Sequence, residues 1–411
     1  MSMFKHVLYL SYDGMTDPLG QSQVIPYLQG LSRKGYQISL ISFEKPAHFS
    51  IYKDAIRASL ERSDIHWVPL KYHKHPPVFS TLFDIWQMRV NAERLQRDQN
   101  FSIIHCRSYL SALVGLYMKK KYGTKFLFDM RGFWADERVE GGLWNRDNIV
   151  FNWIYKFFKE KEKQFLEEAD CTISLTEDGK RVIHEWGHIR NNPIPIEVIS
   201  CCADLSLFDR SKVTIQQVIR LREKLGIDES DFVLLYLGSI GTWYMLGEML
   251  DFFKVLSKYK AQARFLFLTK DNPEYIIRAA STREIDSNRL IITSADRKDM
   301  PQHMALAHLS VFFIKPVYSK RASSPTKQGE LMGMGTPIIC NVGIGDTAKI
   351  IQDVEAGAVV ADFTEENYHI ICNELDHLLS LSVSNIRSGA QQLYSLDKGV
   401  EAYTKVYENL L

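Results

Sequence analysis

Short apolar runs recur along the chain at regular intervals. HVLYL, YQISLISF, IHWVPL, FSIIHC, KFLFD, CTISL and IEVIS occupy the first half, and FVLLYLG, RFLFL, RLIIT, LSVFFI, PIIC and GAVV the second. Between them the apolar positions fall three and four apart, as in Val24, Tyr27, Leu28 and Leu31, a helical stripe closed by Gly35 with a strand directly after it. Strands that are apolar on both faces must be covered on both faces, and strands separated by helices run parallel. The alternation therefore predicts an α/β protein of two Rossmann-like, doubly wound domains. It breaks at CCADLSLFDRSKVT, which sets the expected domains at 1–208 and 209–395. In the last helical segment, 396–411, Val400, Tyr403, Val406 and Tyr407 share one face in search of a partner.

Composition narrows the function classes. A chain of 411 residues has room for two or three cored domains, and a formal net charge of +1 gives no basic excess for nucleic acid. No apolar run approaches the ~18 residues of a membrane span, and the first ten residues lack a signal-peptide layout, so a cytoplasmic chain is expected. The six cysteines show no CxxC spacing and read as buried free thiols. No DxD-like pair or His/Asp cluster is spaced to hold a metal.

Ligands of doubly wound sheets bind beyond the carboxyl ends of strands, so the loops there are the candidates. After the first strand, Gly14 and Gly20 flank a proline-containing loop leading into a helix, a place for close backbone approach or a plain turn. It is not a GxGxxG fingerprint, which disfavours a nicotinamide dinucleotide. His105 and Arg107 end the strand of IIHCRS, where a lone histidine is more often merely hydrogen-bonded than a functional group. MRGFWADERVEGGLW gathers Arg131, Asp136, Glu137 and Arg138 beside two tryptophans, either a sugar-contacting wall or an ion-paired surface loop. KYHKHPPVF sets Lys71, His73, Lys74 and His75 around Tyr72, and FNWIYKFFKEKEKQFLEE carries Trp153, Phe157 and Phe158. The first reads as a solvated loop or, alternatively, as contact with an anionic membrane surface or a phosphorylated acceptor, the second as an amphipathic surface helix or a membrane contact.

SSPTKQGELMGMGTPII predicts a helix of about ten residues, capped by Ser324, begun by Pro325 and ended by Gly335 before Pro337. Its glycines suggest a backbone that approaches a ligand. Lys327 and Glu330 share a face near the positive helix end, which suits an anion or an ordinary surface pair. Lys320 and Arg321 add cations close by.

Three segments together resemble the retaining glycosyltransferases of family 4, which have the GT-B fold. VISCCADLSLF is similar to the family's segment closing its N-terminal domain, GELMGMGTPIICNVGIGD to its donor-site segment E-x-x-x-x-G-x-P-V-I, and RKGYQISLIS to its helix-to-strand turn. The resemblance implies two Rossmann-like domains facing a central cleft, with helix 396–411 returning to the first. It matches Glu330 to a glutamate that binds nucleotide ribose. Ala322 stands at the place of the family's first glutamate, Ser239 at that of a diphosphate-binding arginine, and Arg131 at that of a histidine before glycine. Lys320, Arg321 and Lys327 are the expected replacements for the missing cations.

The resulting expectation is a metal-independent, cytoplasmic glycosyltransferase without a cofactor. Its donor is a UDP- or GDP-linked sugar and its acceptor a glycan or lipid-linked molecule of surface polysaccharide or glycoconjugate synthesis. Arg131, Asp136 and Lys327 are the catalytic candidates. Gly20, Ser239, Lys320, Arg321, Ser323, Ser324, Thr326, Lys327 and Glu330 are assigned to the donor, Arg107 and Glu137 to the acceptor side. Peripheral contact with the inner face of a membrane is a further expectation. A GT-B sugar-nucleotide epimerase and a non-catalytic nucleotide-sugar binder are the alternatives.

Overall fold

The computed structural model describes residues 5–411. The chain forms two compact units, one made by the residues up to Ser200 together with Leu396–Leu411, the other by Cys201–Ser395.

The first unit is built on seven parallel strands: β1 Lys5–Ser11, β2 Tyr36–Glu44, β3 Ile65–Lys71, β4 Ile103–Arg107, β5 Lys125–Asp129, β6 Cys171–Ser174 and β7 Ile196–Val198, in the order β3-β2-β1-β4-β5-β6-β7. The central strands are buried almost throughout, as their unbroken apolar runs require. Helices come close where side chains are small. A Cβ on Gly115 would collide with Cys106 and Phe126, so this glycine lets the helix Ser108–Tyr122 lie directly on β4 and β5. The helix Leu396–Leu410 belongs to this unit: Val400 fills the space a Gly30 side chain would need, Tyr403 stands edge-on to Tyr27, and Tyr407 edge-on to Tyr36.

The second unit carries six parallel strands: β8 Phe232–Leu237, β9 Ala263–Leu268, β10 Leu290–Thr293, β11 Leu309–Val311, β12 Ile338–Asn341 and β13 Gly357–Val360, in the order β10-β9-β8-β11-β12-β13. Met249, Leu250, Phe252 and Phe253 of the helix Leu246–Tyr259 are buried in its core. The residues just after Ser200 pack with this unit. The Ala203 N–H donates to the Tyr394 carbonyl at 2.8 Å, and Arg387 donates to the carbonyls of Leu205 and Phe208. The change of unit thus falls between Ser200 and Cys201, earlier than the compositional break around 208. All six cysteines are buried and stand outside any disulfide.

Strand order reverses direction between β1 and β4 in the first sheet and between β8 and β11 in the second. Crevices open at such switch points because consecutive connections leave to opposite faces. Both switch points are occupied by chemistry-bearing residues.

Candidate functional site

In the second unit the site grows from the loop after β8. Gly238 has φ +105, a conformation that favours glycine, and turns the chain sharply out of the sheet. A Cβ there would sit 3.2 Å from the Lys327 Nζ. Lys327 comes from the helix Thr326–Gly333, which starts after Pro325 with no capping side chain. Its ammonium group reaches under the β8 loop into an aromatic cage. Nζ lies 3.6 Å from the ring centroid of Tyr244, 4.3 Å from that of Tyr236 and 5.9 Å from that of Phe312, which follows β11. Nζ donates to the Tyr236 hydroxyl at 3.2 Å, and that hydroxyl in turn donates to the Ser239 carbonyl. Ser239 Oγ donates to Asp271 at 3.1 Å, and Asp271 also accepts from the Ile240 N–H, which fixes the loop. Lys320 lies against the next aromatic of the same loop, its Nζ 3.8 Å from the Trp243 ring.

Lys327 is 7% exposed and Glu330 8%. The ordinary surface-pair reading therefore fails. Among the described residues no carboxylate lies within ion-pairing distance of Lys327. Glu330 is paired instead with Arg297, at 3.3 Å. Burial holds the Lys327 ammonium well below its usual range, only partly offset by Glu330. Burial likewise raises the Glu330 carboxyl, against the pull of Arg297 and Lys327. Among the described residues Lys327 thus has a carboxylate on its own helix, Glu330, but no ion pair with it.

Other residues assigned from the sequence take different places. Ser324 does not cap the helix; its Oγ accepts the Cys201 N–H at 3.2 Å, and Pro325 occupies the cap position of a helix of eight residues. The Ser323 N–H donates to the Lys320 carbonyl, making Ser323 part of the turn that carries the lysine, and Arg321 lies in the same single-turn segment Tyr318–Ala322. Thr326 is the first residue of the helix. The glycines of this helix serve packing rather than ligand approach: a Cβ on Gly329 would meet Tyr394, and one on Gly333 would meet Leu205 and Phe208. Gly335 does end the helix region with φ +66.

In the first unit the switch point holds a buried ion cluster. Arg107, at the end of β4, donates from Nε to Asp13 at 3.2 Å and lies 3.9 Å from Asp129. Asp129 closes β5 and accepts from the Tyr403 hydroxyl at 3.2 Å, with His105 at 3.6 Å and Arg131 at 3.7 Å. His105 is held through Nδ1 by the Tyr407 hydroxyl at 2.8 Å. Burial pushes the Asp129 carboxyl up, but Arg131, His105 and Arg107 outweigh it and keep it below the usual range. Burial also lowers His105. Arg131 has φ +59, unusual for a side-chain-bearing residue, immediately before Gly132 at φ +113. Such backbone costs roughly 1–3 kcal/mol and persists where surroundings impose it, often at a working site.

Asp136 is drawn inward. It sits in the first turn of the helix Trp134–Glu140, where one oxygen accepts from Tyr155 at 2.8 Å and the other pairs with Lys159 at 2.9 Å. Glu137 follows it on the same helix. Gly20 is tight against Gly14 and Met15, where a Cβ would come within 2.2 Å of the Gly14 carbonyl, so it shapes the loop after β1. That loop is pinned by Glu44, which accepts the N–H groups of Met15 and Thr16. Tyr236, Trp243, Tyr244, Asp13 and Asp129 were not among the sequence candidates. The aromatic pair in GSIGTWYMLGE was the available signal: rings stand in the loop where the resemblance implies cations.

Residues 23–207 match the family model Glycosyltransferase Family 4, a little under half of the chain. No curated protein matches it. Among solved structures, the two helix-covered parallel sheets have the GT-B architecture of glycosyltransferases. Sucrose-phosphate synthase from Thermosynechococcus elongatus is similar with a TM-score of 0.74 at 15% identity, over 99% of both chains. Anabaena HepE in complex with UDP-glucose gives 0.70 at 14% identity, over 98% of this chain and 99% of that one. WaaG, a glycosyltransferase involved in lipopolysaccharide biosynthesis, gives 0.65 at 14% identity over the same shares.

Proposed function

We propose that the chain is a retaining, metal-independent glycosyltransferase that moves a sugar from a UDP- or GDP-linked donor to a hydroxyl of a glycan or lipid-linked acceptor in surface polysaccharide or glycoconjugate synthesis. The observation that carries this is Lys327, a buried cation at the β8/β11 switch point with aromatic walls and, among the described residues, no carboxylate within ion-pairing distance. A departing diphosphate supplies the missing charge. In the reaction the bond from the anomeric carbon to the diphosphate oxygen breaks, and its electron pair leaves with the nucleoside diphosphate. The acceptor hydroxyl oxygen forms the new bond, and its proton passes to the departing phosphate oxygen. Lys327 and Lys320 neutralise the charge as it develops, in a site whose groups need little reorganisation. Glu330, oriented by Arg297, accepts from ribose hydroxyls.

Arg131 is assigned to the sugar or acceptor side, since its backbone is held in a costly conformation beside Asp129. Asp136 and Glu137 shape the same wall, Asp136 acting through Lys159 and Tyr155 rather than on substrate directly. The UDP-glucose complex of HepE and the sugar-transfer activities of the other neighbours are consistent with a nucleotide-sugar donor.

Thermal unfolding with UDP, GDP or neither tests the reading. A matched nucleotide at a hundredfold excess over Kd stabilises by about 2.7 kcal/mol, and the matching sugar nucleotide then loses free nucleoside diphosphate only when acceptor is present. No stabilisation by either nucleotide at millimolar concentration would remove the donor site.

A further inference from the structure

The first unit carries an apolar ledge unrelated to Lys327. The helix Phe79–Gln99 turns Phe79, Leu82, Phe83, Trp86 and Val90 outward, at spacings that put them on one face; Phe79 is 72% exposed and Trp86 56%. Contiguous exposure of this kind marks a contact surface. The ledge is also braced. Phe83 stacks on Trp86, with ring centroids 5.7 Å apart, and His73 stands edge-on to Phe83 at 5.3 Å. His73 is held by the buried Asp84 at 2.6 Å, which also accepts from Tyr12 at 2.9 Å.

Exposed charge on this helix and in the segment before it is mostly basic, Asp98 being the one exposed acid from 71 to 99. Lys71, Lys74, Arg89, Arg94 and Arg97 are exposed. The only carboxylates between 71 and 97 are Asp84, buried, and Glu93, which is taken by Arg89, Lys121 and Tyr117. A second copy of this face would be repelled, whereas anionic headgroups would be attracted. The helix starts beyond the carboxyl end of β3, the end of the sheet where Arg107 and Arg131 also stand. No described helix is long and apolar enough to cross a membrane.

We propose that this face docks on an anionic bilayer, the rings and Leu82 entering the headgroup boundary and the cations resting on lipid phosphates. The test is sedimentation of the full chain with vesicles of phosphatidylcholine alone or with about one third phosphatidylglycerol, the range in which surface potential acts on basic residues. Wild type should bind the anionic vesicles at least about tenfold more tightly and be released by salt. L82Q/W86Q, with an unchanged melting temperature, should bind them about tenfold or more weakly. K71E/K74E, exposed at the end of β3 and in the loop after it, with an unchanged melting temperature, should lose the anionic preference. Failure of the folded wild type to bind, or equal binding by wild type and both variants, overturns the proposal. Concentration-dependent self-association abolished by L82Q/W86Q would also overturn it, assigning the ledge to a second copy.

Discussion

The two sheets reverse strand order beside buried cations, and two of these, Arg107 and Lys327, are treated in opposite ways. Arg107 in the first unit is surrounded by its own anions, Asp13 and Asp129, with His105 and two tyrosine hydroxyls of the C-terminal helix completing the cluster. Lys327 in the second is surrounded by rings and one phenol. The chain thus neutralises the arginine internally and leaves the lysine short of negative charge. An ion cluster closed on itself supports structure, whereas a desolvated cation without an ion-pair partner lowers stability until an anion arrives. The contrast supports giving the donor phosphates to Lys327 rather than to Arg107.

Replacing each cation by methionine breaks the comparison most directly. Arg107→Met removes the ion-pair partner of the half-exposed Asp13 and one of the groups that hold Asp129 ionised, leaving Arg131 and His105 in place, so unfolding free energy should fall by about 1–3 kcal/mol. The pH dependence should change with it. Asp129 has a folded pKa below its ordinary 3.8, so its contribution is present above that value and lost as pH falls through the folded pKa. Without Arg107 the folded pKa rises, and the acid unfolding midpoint should move to higher pH. Denaturant titrations across acid pH check both; an Arg107→Met protein as stable as wild type would end the claim that this cluster is structural.

Lys327→Met should do the reverse. Removing a buried ammonium that has no ion pair among the described residues should leave unfolding unchanged or shifted upward, while turnover with the matched donor falls by roughly 10²–10³, the worth of one contact made to charge developing in the transition state. Glu330→Gln separates binding from chemistry on the same helix: it weakens contacts to a part of the donor that does not react, and should raise donor KM more than it lowers kcat. Wild-type kinetics in both variants would return these residues to a purely structural role.

How much of this was legible in the sequence depends on the range of the interaction. Every strand came from an apolar run, because burial on both faces of a parallel sheet writes itself locally; LSVFFI marked β11 although only Leu309–Val311 pair as a strand. The cap at Ser324 failed because a contact distant in sequence, the Cys201 N–H, took its oxygen. The glycines of the Lys327 helix looked like ligand positions, yet they answer to Tyr394, Leu205 and Phe208, partners no local pattern names. Lys327 itself was found from helix-end electrostatics, but its cage was not: Tyr236, Tyr244 and Phe312 come from the ends of two strands that become neighbours only where the sheet order reverses. In the same way Asp129 and Tyr403, far apart in the chain, meet only once the C-terminal helix has folded back.

The smallest expected effect is also the most specific to a cation awaiting an anion. Burial depresses the folded pKa of Lys327, so between that value and the ordinary 10.5 the unfolded chain binds more protons than the folded one, and stability of the free protein rises with pH across this window. A bound diphosphate favours the charged ammonium and raises the pKa again. Nucleoside diphosphate binding should therefore take up a fraction of a proton, at most one, and affinity should fall as pH rises between the free and bound pKa values. Titration calorimetry near pH 8, above the phosphate's own ionisation at about 6, isolates the lysine. Observed heats in buffers of different ionisation enthalpy should differ for the wild type, with the sign of uptake, and coincide for Lys327→Met. Arg107 makes no such contribution, because a guanidinium stays protonated throughout this range. Buffer-independent heats in the wild type would mean that Lys327 is already charged before the ligand binds, and the contrast between the two cations would then rest on geometry alone.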